Sequence, residues 1–222
     1  MQPGVPLDEV KAPTNEFFER ARLRLSCEVP AGLTDLNAEV KIRGDLDLEP
    51  ELWEKAGVKA TKPAAVLVPV VARPTPQVLL TQRTPELKSH SGQIAFPGGR
   101  IEPGEGPLAA ALREAYEEVG LDAKYVQPIG YLDLYLTFSG FRILPLVAHV
   151  DPDYAMTVNP SEVADAFEVP LEFLMAPGNH QRLKRDWNGI ERQYYAMPFG
   201  ERYIWGVTAG ILRNLYERIY AG

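Results

Sequence analysis

The chain has very little cysteine, and this scarcity limits the class of protein to which it can belong. Cys27 is the single cysteine among 222 residues, which excludes an internal disulfide framework and favours a reducing compartment. No apolar run reaches the length of a membrane span, and the first residues lack the basic-then-apolar pattern of a signal peptide. We therefore expect a cytoplasmic protein without a membrane partner.

The chain also has fewer positively charged than negatively charged residues. The chain has 23 lysine and arginine residues against 30 aspartate and glutamate residues, which gives a formal net charge of −7. The sequence pI is about 5.1. A surface that binds nucleic acid needs a basic face, so a nucleic acid is not expected as a partner. A small molecule is expected instead, and a homodimer is left open.

The organisation of the chain predicts one main domain over residues 63–222. Residues 1–62 contain many turn formers and no long periodic pattern, and we interpret them as an N-terminal extension that packs on this domain. Period-two and apolar patterns predict strands over 64–71, 77–83, 125–136, 141–150, 192–197 and 203–205. Helical spacing predicts helices over 15–25, 107–119 and 208–220. Strands interleaved with helices in this way indicate the α/β class.

Residues 99–121 contain the most informative pattern in the chain, Gly-x5-Glu-x7-Arg-Glu-Ala-x-Glu-Glu-x-Gly-Leu. Pro107 suits the first position of a helix, and Gly120 suits its left-handed end. The predicted apolar stripe of this helix consists of Leu108, Ala111, Leu112, Ala115 and Val119.

Three carboxylates of this helix, Glu114, Glu117 and Glu118, are expected to share a face about 120° from the apolar stripe. Carboxylates so close together repel each other and raise one another's pKa. A bound divalent cation removes this cost, and oxygen ligands suit Mg²⁺ or Mn²⁺. A solvated acidic helix face is the alternative interpretation.

The pattern over residues 99–121 matches the box of the Nudix hydrolases, and the chain resembles that superfamily. The resemblance implies a Nudix-type α/β/α sandwich with a mixed sheet, and metal-assisted hydrolysis of a diphosphate. It further implies that a glycine carbonyl, for which we choose Gly98, joins the three carboxylates as a metal ligand. Arg113 is expected to orient the carboxylates and to pair with Glu105.

An acidic residue on a later loop often reaches the metals or the attacking water in Nudix proteins, and Glu162 is our candidate for this role. Either Glu114 or Glu162 is then the general base. The sequence does not separate the two.

The segment before the box narrows the resemblance further. Residues 79–99 resemble the additional motif of the coenzyme A pyrophosphatases, Leu-Leu-Thr-x-Arg-(Ser/Ala)-x3-Arg-x3-Gly-x3-Phe-Pro-Gly-Gly. The chain departs from this motif at Thr84, which stands for serine or alanine, and at Lys88, which stands for arginine. Lysine retains the charge but loses the planar fork that binds phosphate in a bidentate manner. Arg83 and Lys88 are the candidate phosphate-binding cations, although either residue can also be a solvated surface charge.

A second segment, residues 137–141, resembles the Thr-x-Ser-Gly-Phe stretch of the same enzymes. Ser139, Gly140 and Phe141 would offer the substrate a hydrogen bond, close backbone approach and an aromatic face. A simple hairpin loop explains the segment equally well.

These observations predict hydrolysis of coenzyme A or acyl-coenzyme A to 3′,5′-ADP and (acyl-)4′-phosphopantetheine. Another nucleoside diphosphate derivative, such as ADP-ribose, is the alternative substrate, because the box recognises only the diphosphate and the metals. A non-catalytic ligand sensor with the same fold is the alternative outside the enzyme class.

Overall fold

The computed structural model describes residues 16–45, 47–49, 61–85, 92–187 and 189–221. The predicted phosphate-binding residue Lys88 lies outside these ranges. The strands are β1 (Ile42–Gly44), β2 (Lys62–Val71), β3 (Gln77–Arg83), β4 (Ile94–Ala95), β5 (Gly98–Arg100), β6 (Val126–Tyr131), β7 (Leu134–Leu136), β8 (Phe141–Val150), β9 (Val163–Pro170), β10 (Gln181–Trp187), β11 (Ile190–Phe199) and β12 (Arg202–Trp205). The helices are α1 (Glu16–Arg24), α2 (Pro107–Val119), α3 (Leu171–Met175) and α4 (Val207–Tyr216), and α4 continues into a π-helical turn (Glu217–Ala221).

Nine strands form one mixed sheet with β2 near its centre. The order is β1-β7-β8-β2-β3-β4, with β5 paired to β2, β6 to β8 and β9 to β3. Strand β2 runs parallel to β8 along its whole length and antiparallel to β3 and β5. Pro69 lies between the part of β2 that pairs with β5 and the part that pairs with β3. Its missing N–H therefore removes no hydrogen bond to either of these strands.

The side chains of the sheet alternate between two cores. On one face α2 packs on a cluster that includes Leu67, Leu79 and Leu144. On the other face α1, α3 and α4 cover a cluster that includes Val68 and Leu80. This arrangement is the predicted α/β/α sandwich with a mixed sheet. The described helices include none that combines the length and the apolar character needed to cross a membrane.

The described residues before β2 contribute directly to this sandwich. Helix α1 buries Phe17, Phe18 and Ala21 in the core that also contains α4. Strand β1 pairs in parallel with β7 at one edge of the sheet. The segment therefore supplies one helix and one edge strand to the layers that it contacts.

Helix α2 has the predicted ends and buries Ala111, Ala115 and Val119 of the predicted apolar stripe. Pro107 occupies the first turn, and Gly120 ends the helix in the left-handed conformation with φ of 67°. Leu108, which was predicted to face inward, is 38% exposed, whereas Ala110 is fully buried. Glu118 lies near Glu114 as expected, but it is buried, with only 2% of its surface exposed. The buried side of the helix is thus rotated towards Glu118.

A close contact between α4 and the sheet gives a stability prediction. An alanine Cβ at Gly210 would lie 2.8 Å from Cζ of Tyr135, whose side chain is buried and donates a hydrogen bond to Asp45 Oδ1 at 3.2 Å. Gly210→Ala is therefore expected to lower the free energy of unfolding by about 1–3 kcal/mol, although alanine is the better helix former. Urea denaturation measures the effect. Gly178→Ala, whose Cβ would meet nothing within 4 Å, is the matched control, and equal stability of the two variants would contradict the prediction.

Candidate active site

The site is built where β5 meets the box helix α2. Gly99 faces the Glu114 side chain so closely that an alanine Cβ at residue 99 would lie 2.5 Å from the Glu114 carboxyl carbon. Glycine at this position is what allows the carboxylate to lie against the strand. Burial raises the pKa of Glu114, Arg113 opposes the rise, and Glu117 and Glu162 add to it.

The preceding residue, Gly98, lies against the central strand. A Cβ there would be 2.5 Å from the Ala65 carbonyl oxygen and 2.6 Å from Val66 Cα. Because both atoms belong to the backbone of β2, only glycine fits this position without a shift of the strands. The Gly98 amide interacts with the Glu118 carboxyl and lowers its pKa. Gly98 therefore brings backbone polar groups to the carboxylate cluster.

Glu118 is the most deeply buried carboxylate of the cluster. Burial raises its pKa to about 8, against the influence of Arg83, and the charges of Glu114 and Glu162 add to the rise. Arg83 Nη1 lies 3.6 Å from Glu118 Oε1. Among the residues that the structure describes, Glu118 Oε2 has no hydrogen-bond partner and is buried. A buried carboxylate oxygen in this state is costly unless a cation or a proton satisfies it.

Arg113 holds the remaining acidic side chains of the box. Its Nε and Nη2 donate to the two Glu105 oxygens at 2.9 and 3.1 Å. Its Nη1 donates to Glu114 Oε1 at 2.9 Å and to Glu117 Oε2 at 3.1 Å. The hydrogen bonds with Glu105 raise the pKa of Arg113 and lower that of Glu105. The predicted pair of Arg113 and Glu105 is present, and Arg113 also spans two of the three carboxylates.

Glu162 approaches the cluster on the loop that precedes β9. The Thr157 amide donates to the Val119 carbonyl oxygen at 2.9 Å, and the Asn159 amide donates to the Glu118 carbonyl oxygen at 2.9 Å. The Glu162 carbonyl oxygen in turn accepts from the Thr84 amide at 3.0 Å. The loop thus satisfies carbonyls at the end of α2 that have no partner within the helix. These bonds bring Glu162 close enough to raise the pKa of Glu114 and Glu118.

The donor set fits a hard divalent cation. Carboxylate oxygens are ligands that Mg²⁺ and Mn²⁺ prefer, and among the described residues Glu118 Oε2 is buried without a hydrogen-bond partner. Within the described ranges, no three Asp, Glu, His or Cys side chains are already gathered as a metal cage. Arg113 Nη1 instead bridges Glu114 and Glu117, so a cation would replace that bridge.

The loop between β7 and β8 is a tight hairpin turn. The Gly140 amide donates to the Thr137 carbonyl oxygen at 3.0 Å, and Gly140 has φ of 87°. Ser139 Oγ is 2.9 Å from Thr137 Oγ1, so its hydroxyl already has a partner in the turn. The Phe141 side chain is half-buried. The hairpin explanation accounts for Ser139 and Gly140, and their role in binding stays a prediction.

Three cations near this hairpin were not identified from the sequence. Lys62 and Arg100 lie over the Phe141 ring, and Arg192 lies over the Phe138 ring with its Cζ 3.6 Å from the ring centroid. They are far apart in the chain, and only the register of β2, β5 and β8 brings Lys62 and Arg100 to one ring. No local signal in the sequence marks them.

The fold and this carboxylate site define a class, and comparison with known proteins identifies it. The NUDIX domain family matches residues 61–188. The chain is 41% identical over 159 residues to the Nudix hydrolase NudL of Klebsiella pneumoniae subsp. pneumoniae, covering 71% of this chain and 83% of that protein. It is 38% identical over 157 residues to NudL of Yersinia pestis, covering 70% and 79%. The chain belongs to the Nudix hydrolase family.

Among solved structures, the crystal structure of DR0079 from Deinococcus radiodurans aligns with 72% of this chain and 85% of that chain, at 15% identity and a TM-score of 0.49. As a Nudix hydrolase, the protein acts on a small-molecule diphosphate, in a family that generally uses divalent metal ions. The names of the relatives state no substrate.

Proposed function

We propose that this Nudix hydrolase cleaves the diphosphate of coenzyme A or acyl-coenzyme A, giving 3′,5′-ADP and (acyl-)4′-phosphopantetheine. The observation that carries the proposal is the contact between Arg83 and Glu118. Arg83 is the arginine of the coenzyme A pyrophosphatase-like motif, and Glu118 belongs to the box. The segment that distinguishes the substrate therefore meets the catalytic helix at its most buried carboxylate.

Glu114, Glu117, Glu118 and the Gly98 carbonyl would hold Mg²⁺ or Mn²⁺. When bound, such ions screen the charge of the diphosphate and lower the pKa of a coordinated water. Because Gly99 has no side chain, it leaves the space that the Glu114 carboxylate occupies. Before a cation binds, Arg113 orients the Glu114 and Glu117 carboxylates through Nη1.

Glu114 and Glu162 are the two candidates for the general base. Either carboxylate would take the proton of the attacking water at one of its oxygens. Glu114 lies in the carboxylate cluster, where burial raises its pKa. Glu162 is positioned by the backbone bond between its carbonyl oxygen and the Thr84 amide.

Substrate contacts are proposed for Arg83, Lys88, Ser139, Gly140 and Phe141. Arg83 Nε is buried and has no hydrogen-bond partner within the described ranges, and the Arg83 side chain is partly open to solvent. It is therefore placed to hold a phosphate oxygen beside the carboxylates. Phe141 offers an aromatic face at the hairpin.

The test is a substrate panel with Mg²⁺ and with Mn²⁺. We expect coenzyme A to yield 3′,5′-ADP, identified by chromatography, with kcat/KM at least about tenfold above that for ADP-ribose, a difference of about 1.4 kcal/mol. Cleavage of ADP-ribose without release of 3′,5′-ADP from coenzyme A would overturn the proposed substrate while leaving the hydrolase class intact.

A further inference from the structure

Two cations lie over one aromatic ring at the end of the sheet. Lys62 Nζ is 5.4 Å and Arg100 Cζ is 5.5 Å from the centroid of the Phe141 ring. Across the described part of the chain, neither side chain makes an ion pair or a side-chain hydrogen bond. Other cations of the described chain, such as Arg73 and Arg113, form ion pairs with carboxylates, whereas Lys62 and Arg100 add positive charge at this place.

Strand register explains why the two cations share one ring. Lys62 of β2 is opposite Phe141 of β8, and Ala64 of β2 is opposite Arg100 of β5. Residues two apart on a strand point to the same face, so all three side chains project from one face of the sheet. This is the face that α4 covers further along, because Ile143 packs with the α4 core.

Strand β5 has carboxylates next to one of its faces and a cation on the other face. Gly99 faces Glu114 on the α2 side, and Arg100, the next residue, projects to the other side. In the parts of the chain that the structure describes, β5 pairs with β2 alone. A ligand that passes round the free edge of β5 therefore meets carboxylates on one side and cations on the other.

We propose that Lys62 and Arg100 bind a phosphomonoester on the nucleotide half of the substrate. The inference rests on the proposed function, since coenzyme A carries a 3′-phosphate on the ribose next to its diphosphate. Arginine binds phosphate in a bidentate manner and lysine as a point charge. The Phe141 ring holds both cations by cation–π attraction without neutralising them, which leaves their full charge for the ligand. This pair thereby distinguishes coenzyme A from 3′-dephospho-coenzyme A.

Steady-state kinetics of Lys62→Gln and Arg100→Gln on these two substrates tests the inference. Each variant is expected to raise KM for coenzyme A about tenfold or more, the usual worth of a charge-assisted contact. KM for 3′-dephospho-coenzyme A should change less than about twofold, because that substrate lacks the recognised group.

Matched controls exist for both side chains. Lys124 Nζ lies 4.9 Å from the Tyr125 ring centroid, and Arg182 Cζ lies 5.8 Å from that of Tyr195. Both residues are exposed. Replacing either one removes the same type of charge from beside an aromatic ring in another part of the structure. Lys124→Gln and Arg182→Gln are expected to leave both KM values unchanged.

A binding measurement separates this inference from the proposed function. Calorimetric titration with 3′,5′-ADP and with 5′-AMP compares two ligands that differ only in the 3′-phosphate. We expect 3′,5′-ADP to bind the wild type more tightly and the two variants to lose that preference. If coenzyme A is hydrolysed but the variants weaken both ligands equally, the phosphomonoester site is wrong and the proposed function stands. If coenzyme A is not hydrolysed, the proposed function fails, and an absent preference for 3′,5′-ADP overturns the site as well.

Discussion

Replacing Glu118 by glutamine is expected to lower kcat by about 100- to 1000-fold, the loss typical of removing one charge-stabilising group from an active site. Glutamine keeps the shape of the side chain but removes the charge that would hold a cation at the buried Oε2 position. The measurement is steady-state turnover on the best substrate of the panel. Glu172→Gln, at an exposed position, is the control and should retain full activity. Turnover of Glu118→Gln near the wild-type value would contradict the proposed role, whereas binding without any turnover in the wild type would favour a sensor.

The difference in stability between Glu118→Gln and the wild type should change with pH in a defined direction. The pKa of Glu118 rises from 4.5 to about 8 in the metal-free fold, so its ionisation costs stability above pH 4.5, increasingly up to pH 8. Below pH 4.5 the group is protonated in both states, and no cost remains. We expect metal-free Glu118→Gln to melt at a higher temperature than the wild type at pH 7, with the difference shrinking towards pH 4.5. A difference that is constant with pH would show that the carboxyl is not buried in this way.

Gly99→Ala is expected to reduce kcat about 100-fold while leaving the melting temperature almost unchanged. The new Cβ would occupy the place of the Glu114 carboxyl group, and the end of a flexible side chain can move away at little cost. Displacing a ligand by about 1 Å is enough for a loss of this size. Turnover and thermal unfolding of the same preparation measure the two effects.

Two neighbouring glycines provide matched controls for this variant. Gly98→Ala meets the β2 backbone, which cannot move aside, so it should lose both stability and activity. Gly106→Ala meets nothing within 4 Å and should keep its turnover. Retention of wild-type turnover by Gly99→Ala would show that the position of Glu114 does not matter for catalysis.

The parts of the site that were predictable from the sequence are those with local signals. Pro107 and Gly120 mark the ends of the box helix within a few residues, and the pair of Arg113 and Glu105 lies within the motif. Spacing on an ideal helix placed Glu118 beside Glu114 but did not predict that Glu118 is buried. Its burial depends on Arg83 and on the loop before β9, and no periodicity within the helix reports such contacts.

The strands that were missed show the same limit. Strand β10 (Gln181–Trp187) is exposed at nearly every position, so it lacks the alternation on which strand prediction depends. Strand β1 (Ile42–Gly44) is short and exists through its pairing with β7. The predicted strand over 125–136 is divided into β6 and β7. Pairing with distant segments, not local preference, decides these elements.

The most direct test of the account is a crystal structure of the protein soaked in Mn²⁺, with anomalous diffraction recorded to locate the metal. We predict an anomalous peak about 2 Å from carboxylate oxygens of Glu114 and Glu118, with Arg113 displaced from its bridge to Glu117. A map without such a peak, in which Glu118 Oε2 stays buried and Arg113 still bridges Glu114 and Glu117, would contradict the claim that this cluster exists to hold cations against a diphosphate.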